Sequence, residues 1–164
     1  MFLNIYLLFQ IRKQFEGQKK IQESSVTIIG CGALGTVAAE LMVRSGVHNL
    51  TIIDRDTIET SNLQRQSLYT LDDVGKTKVI TAKNKLLEIN PNVNIKAQII
   101  HLDNQNIKNL ETPNIILDCT DNIKTRLLIN DYAKKNKINW IYSAAIKTKG
   151  MILPIFSESN LDIQ

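Results

Sequence analysis

The chain has 164 residues, 43% of them hydrophobic and 22% charged, with a formal net charge of +4. That length suits one domain with a real core, and the balance is ordinary for a soluble globular protein, which excludes a disordered or fibrous chain. The lysines are spread over helices and loops without interleaved aromatics, so nucleic acid is not the expected partner, whereas a mildly basic face can attract an acidic protein or a polyphosphate.

The opening Met1–Phe9 is apolar. It lacks a basic flank and a small-residue cleavage site and is too short to span a bilayer, so a docking element is expected there rather than a targeting signal or membrane anchor. Gln10–Gln22 predicts a polar, amphipathic helix packed on the outside of a sheet. Val26, Ile28 and Ile29 then form a short β-branched run that predicts a buried strand. It ends at Gly30-x-Gly32-x-x-Gly35, and Ala33–Arg44 reads as a helix stopped by Gly46. In that turn Gly30 permits the tight bend, Gly32 lets a phosphate approach the backbone, and Gly35 allows close helix–strand packing. The free N–H groups at the helix start face the anion.

Asn49–Ile53 predicts a second strand ending at Asp54, about twenty residues past the last glycine, where an acid meets a ribose hydroxyl. Arg55–Asp73 is polar, irregular and too long for an idle connection, hence a candidate functional loop. Gly75–Asn90 predicts a helix with Val79, Ala82, Leu86 and Ile89 on one face, and Val93–Ile100 a third strand. Ile115–Leu117 is a buried parallel strand running into Asp118. Asp121–Asn136 predicts a helix with Leu127, Leu128 and Tyr132 inward, followed by strands Trp140–Ala145 and Gly150–Phe156. The alternation predicts a Rossmann-like, doubly wound α/β fold, a mainly parallel sheet with helices on both faces. The expected division is an N-terminal arm and helix over 1–24, a nucleotide domain over 25–156 and a tail over 157–164.

Ligands bind beyond the carboxyl ends of such strands. That rule places the glycine turn, Asp54, Asp118–Asn122 and Ser143–Ala145 on one rim. The rim gathers Asp54-Arg55-Asp56, the loop Ser61-Asn62-Leu63-Gln64-Arg65-Gln66, Lys76 and Lys78 at the next helix, and Asp118-Cys119-Thr120-Asp121-Asn122. Arg65 and Lys78 can neutralise a polyphosphate; Asn62, Gln66 and Asn122 can orient it. Asp121 can hold magnesium or cap its helix. Such a set fits nucleotide phosphate chemistry, which needs charge neutralisation and positioning more than a protein nucleophile. Gly75-Lys76-Thr77 is not a P-loop, because Thr70 stands where that motif needs glycine and no strand immediately precedes it. His48 and His101 have no partner pattern and read as structural or exposed; Trp140 and Tyr142 read as packing residues. Cys31 and Cys119 form no Cys-x-x-Cys pair, so no zinc site and no disulfide framework is expected, and a reducing cytoplasm is the expected setting.

Taken in order, Gly30-x-Gly32-x-x-Gly35, Asp54-x-Asp56, Ser61–Gln66, Val74-Gly75-x-x-Lys78, Asn90-Pro91 and Asp118–Asn122 resemble the ThiF/MoeB/HesA family, bacterial relatives of ubiquitin-activating enzymes. Gly17-Gln18, Trp140–Ala145 and Gly150 extend the likeness over nearly the whole chain. The resemblance implies binding of ATP with magnesium and adenylation of the C-terminal glycine of a ubiquitin-like sulfur-carrier protein, toward thiamine or molybdopterin synthesis. It implies that Asp54 holds the ribose, that Asn62, Arg65 and Lys78 contact the phosphates, and that Asp121 binds magnesium. A homodimer, or pairing with a related subunit, is also implied. Two departures stand out. Asn4 falls where the family carries an arginine that reaches a partner's nucleotide site, Arg12 being the nearest basic residue. The sequence also stops at Gln164, before the family's Cys-x-x-Cys zinc site, downstream cysteine, crossover segment and last strands. A second expectation is therefore a truncated, catalytically silent nucleotide- or partner-binding module; a third, an NAD-dependent oxidoreductase, leaves Asn62–Gln66, Lys78 and Asp121 without a role.

Overall fold

The computed structural model describes residues 15–158. Asn4, Arg12, residues 10–14 of the predicted first helix and residues 159–164 of the tail lie outside the described residues. The first described element is a helix over 15–23 (α1). All its residues are exposed, and Gln18 donates from Nε2 to the Ser45 carbonyl at 2.8 Å. Over its described residues this helix therefore touches the end of the next helix and buries no face on the sheet, a correction to the predicted packing there.

Six strands follow: β1 (Ser25–Ile29), β2 (Asn49–Ile53), β3 (Asn94–Gln98), β4 (Ile115–Asp118), β5 (Asn139–Ile146) and β6 (Lys149–Ile155). They form one sheet in the order β3-β2-β1-β4-β5-β6, parallel except for the antiparallel β5–β6 hairpin at one edge. The β-branched runs lie where predicted because both faces of β1, β2 and β4 are covered, as parallel strands require. Helices α2 (Ala33–Ser45) and α3 (Lys78–Ile89) bury Ala39, Val43, Val79, Ala82 and Leu86 on one face. Helix α4 (Ile123–Asn136) buries Ile129, Tyr132 and Ala133 on the other, against Ile116, Trp140 and Leu110. The doubly wound, Rossmann-like architecture is the one the sequence predicts.

Several boundaries move. Strand β3 is shorter than Val93–Ile100, its ladder closing where Asp54 N–H donates to the Gln98 carbonyl. Helix α3 starts at Lys78, not Gly75, because residues 75–77 are spent on a small bridge between Thr57 and Thr77, with Gly75 N–H donating to Ile58 and Lys78 N–H to Asp56. Helix α4 starts at Ile123, not Asp121. Its inward face is set by Thr125, Arg126, Ile129 and Tyr132, which turns Leu127 out to 40% exposure. His48 and His101 are exposed, and Trp140 is buried.

Candidate nucleotide site

The carboxyl ends of β1, β2 and β4 open onto a cleft of about 630 Å³. The turn from β1 into α2 forms its floor. Gly30 has φ +95°, and a Cβ there would lie 2.6 Å from the Cys119 carbonyl oxygen; one on Gly35 would lie 1.8 Å from the Gly30 carbonyl oxygen. A Cβ on Gly32 would meet nothing nearer than Gln66 Nε2 at 3.7 Å, so the protein itself leaves that position open. Gly32 is the N-cap of α2 and supplies no side-chain cap, so the first N–H groups of the helix await an acceptor.

Asp54 is held by that turn. Its Oδ2 accepts the Cys31 N–H at 2.7 Å and its Oδ1 the Asp56 N–H at 2.8 Å. Asp56 Oδ2 lies 3.2 Å from the ammonium of Lys78, whose side chain is 8% exposed although it lines the cleft. Tyr69 ties the two elements together: its hydroxyl lies 3.2 Å from both the Cys31 and the Lys78 carbonyl oxygens and 3.0 Å from Cys31 Sγ. Burial pushes the Cys31 thiol up to about 12 and the Cys119 thiol up to about 11. Neither supplies a thiolate at neutral pH.

The loop after β2 brings Asn62, Arg65 and Gln66 to the same cleft. Asn62 is buried and accepts the Glu59 N–H through Oδ1 at 3.2 Å; Arg65 is exposed and donates to the Ser61 carbonyl at 3.1 Å. Gln66 is 2% exposed, and its Oε1 is buried without a hydrogen-bond partner among the described residues. A buried acceptor in that condition is costly unless a ligand or water donates to it.

After β4, Asp121 and Asn122 line the opposite wall, both exposed. The helix cap is Asn122, which accepts the Thr125 N–H at 2.9 Å, so Asp121 is not the cap and its carboxylate stands on the rim. Ten of the predicted site residues thus share one cleft: Gly30, Gly32, Asp54, Asp56, Asn62, Arg65, Gln66, Lys78, Asp121 and Asn122. Two do not. Gly35 is not among the lining residues and serves the packing beneath the turn, and Lys76 lies outside the cleft, its ammonium 3.2 Å from Asp73 Oδ1.

The residue that sequence reasoning missed is Arg126. It lines the cleft from α4, is 8% exposed, and donates from Nη2 to the Thr120 and Ser143 carbonyls and from Nη1 to the Tyr142 hydroxyl at 2.5 Å. Its guanidinium stacks 4.5 Å above the Tyr142 ring, and its Nε is 3.6 Å from Asp118 Oδ2. Asp118 is fully buried; burial raises its carboxyl above the usual range, against two bonds from Thr120 and the charge of Arg126. The available signal was an arginine on the same helical face as Ile129 and Ala133.

A Rossmann-like α/β fold with basic groups, amide side chains and an open helix N-terminus around one cleft makes that cleft a candidate phosphate site. The ThiF family model matches residues 7–161. The sulfur carrier protein ThiS adenylyltransferase of Bacillus subtilis is 44% identical over 142 residues, 85% of this chain and 42% of the relative. The molybdopterin-synthase adenylyltransferase of Escherichia coli is 38% identical over 139 residues, 84% of this chain and 56% of the relative. Among solved structures, E. coli MccB with ATP superposes with a TM-score of 0.73 at 27% identity, over 77% of this chain and 38% of that one. The chain belongs to the ThiF family. It spans about two fifths of the length of the first of these curated relatives and just over half of the second.

Proposed function

We propose that this chain carries the nucleotide half of an adenylyltransferase that activates the C-terminal glycine carboxylate of a ubiquitin-like sulfur-carrier protein. The observation that supports this reading is the convergence of Asn62, Arg65, Gln66, Lys78 and Asp121 on the cleft floored by the glycine turn. In the reaction a carboxylate oxygen of the carrier attacks the α-phosphorus of ATP, the bond to the β-phosphate oxygen breaks, and pyrophosphate leaves. No protein nucleophile is required, so the residues act by position and charge.

Asp54, already fixed by the Cys31 and Asp56 N–H groups, holds the ribose hydroxyls. The α2 N-terminus at Gly32 receives a phosphate, and Asn62 and Gln66 orient it. Arg65 and Lys78 neutralise the charge that builds on the departing pyrophosphate; Lys78 does so by exchanging Asp56 for phosphate oxygen. Among the described residues no group of three His, Cys, Asp or Glu side chains could hold a metal alone. One exposed carboxylate suits magnesium, which takes one or two carboxylates and draws its remaining ligands from phosphate and water. Asp121, beside Asn122, would hold the ion, which lowers the charge of the polyphosphate and polarises it. The partners that complete this reading are the sulfur carrier and a second subunit, a copy of this chain or a relative, in the cytoplasm.

The test is ATP–pyrophosphate exchange with magnesium, with and without sulfur carriers ending in Gly-Gly. Carrier-dependent exchange is expected. ATP binding by calorimetry without exchange would leave a nucleotide- or partner-binding module, and tight NADH binding without ATP binding would overturn both readings.

A further inference from the structure

We propose that Arg126 is a positioning residue that holds the segment Cys119–Asn122, and with it Asp121, at the wall of the cleft. The inference rests on the nucleotide reading above for its consequence, and on geometry alone for its cause. The segment between β4 and α4 has few anchors of its own. Cys119 N–H donates to the Ile29 carbonyl, Thr120 N–H and hydroxyl donate to Asp118 Oδ1, and Thr125 N–H donates to Asn122. Asp121 itself is exposed on the rim.

Arg126 supplies the missing tie. One planar group joins three elements: the Thr120 carbonyl on the segment, the Ser143 carbonyl and Tyr142 hydroxyl on β5, and the Asp118 carboxylate at the end of β4. Ser143 strengthens the same joint by donating its hydroxyl to the Asp118 carbonyl at 2.5 Å. An arginine buried to this depth is held by its partners, and only a guanidinium offers donors in that fixed fork while its face covers an aromatic ring. The ion pair is imperfect. Both Arg126 Nε and Asp118 Oδ2 are buried without a hydrogen-bond partner among the described residues, so the group's geometry favours the backbone of the segment over the carboxylate. That is the signature of a brace for the wall more than of a charge pair for the core.

The experiment compares the unaltered chain with Arg126→Gln and Tyr142→Phe by amide hydrogen exchange and by calorimetry of ATP binding with and without magnesium. Arg126→Gln is expected to speed exchange about tenfold at Thr120 and Thr125, with Leu86 on α3 and Ile95 on β3 unchanged, because the loss is local. It is expected to weaken magnesium-dependent ATP binding roughly 10- to 100-fold, the scale for a group that orients a ligand residue. ATP affinity without magnesium falls by less, since Asp54, Asn62 and Lys78 are untouched. Tyr142→Phe, which removes one of the arginine's partners, shifts both readouts in the same direction by less. Unchanged exchange at Thr120 and Thr125, acceleration spread evenly over the molecule, or an unchanged magnesium dependence would overturn the assignment. Failure of the unaltered chain to bind ATP at all would overturn the proposed function instead, and the exchange pattern would then decide Arg126 alone.

Discussion

A Cβ on Gly35 would sit 1.8 Å from the carbonyl oxygen of Gly30, whereas one on Gly32, between them, would touch nothing closer than 3.7 Å. Two glycines of one motif are therefore required for different reasons. Gly35→Ala must push α2 off β1 and is expected to destabilise the fold by about 3 kcal/mol. Gly32→Ala fits the protein, so its stability should change by less than about 1 kcal/mol, while its methyl intrudes where a phosphate would lie. Urea titration paired with ATP calorimetry separates the two: a folded Gly32→Ala chain with undiminished ATP affinity would remove the phosphate from this turn.

Lys78 faces Asp56 at 3.2 Å, and that carboxylate is half exposed. With its carboxylate half exposed the pair contributes little to folding, so Lys78→Met, which keeps the buried stem of the side chain, should unfold at nearly the same urea concentration. Its effect belongs to the phosphate. Carrier-dependent pyrophosphate exchange should fall by about 100-fold or more. A variant that exchanges at the original rate leaves Lys78 as the ion-pair partner of Asp56 only.

Asp121 and Asn122 are neighbours with separable duties. Asn122→Ala removes the cap of α4 and is expected to cost about 1 kcal/mol, seen as a lower urea midpoint. Asp121→Ala removes no cap and should leave the midpoint within about 0.5 kcal/mol of the original, while abolishing the magnesium dependence of ATP binding. Retained magnesium dependence in a folded Asp121→Ala chain would move the metal elsewhere.

Asp73 closes the loop before α3. Lys85 at 2.7 Å, aided by Thr70 and Lys76, holds its carboxyl below the usual carboxylate range despite some desolvation. A lowered folded-state pKa means that the unfolded chain takes up the proton first. Its stabilisation is complete above the ordinary carboxylate pKa of about 4 and is lost as the pH falls toward the depressed value. Asp73→Asn should be the less stable chain at pH 7, and the gap between the two urea midpoints should close below about pH 4. A gap that stays constant down to pH 2 would mean that this carboxylate does not drive the acid response.

The strands and the glycine turn were legible because β-branched runs and turn glycines are local signals. The rim residues were legible because a parallel sheet carries its loops at one end. What could not be read were features that depend on a distant partner. Helix α3 loses its first turn to the Thr57–Thr77 bridge. Leu127 points outward because Arg126 takes the inward position. Lys76, expected on the rim, is spent on Asp73. Arg126 has no motif of its own; its importance arises from Thr120, Tyr142 and Ser143 meeting around it.

Edge strand β6 exposes Met151, Ile152 and Leu153, with Phe156 just beyond its end and Ile146 on the neighbouring strand. An apolar edge of this kind recruits other strands. Ile152→Lys should raise solubility and leave the urea midpoint within about 0.5 kcal/mol; light scattering over a concentration series checks it, and equal scattering from both chains would acquit this edge.

Strand β1 is hydrogen-bonded on one side to β2 and on the other to β4, and the second pairing joins Ser25 to Asn114 across 89 positions. The glycine turn can therefore form early, with its neighbours in sequence, but the wall carrying Asp121 arrives only when a distant segment docks beside it. Long-range parallel pairing is slow. In refolding, protection of β1–β2 amides should precede the capacity to bind ATP, and on a translating ribosome the cleft should stay open on one side until β4 has emerged.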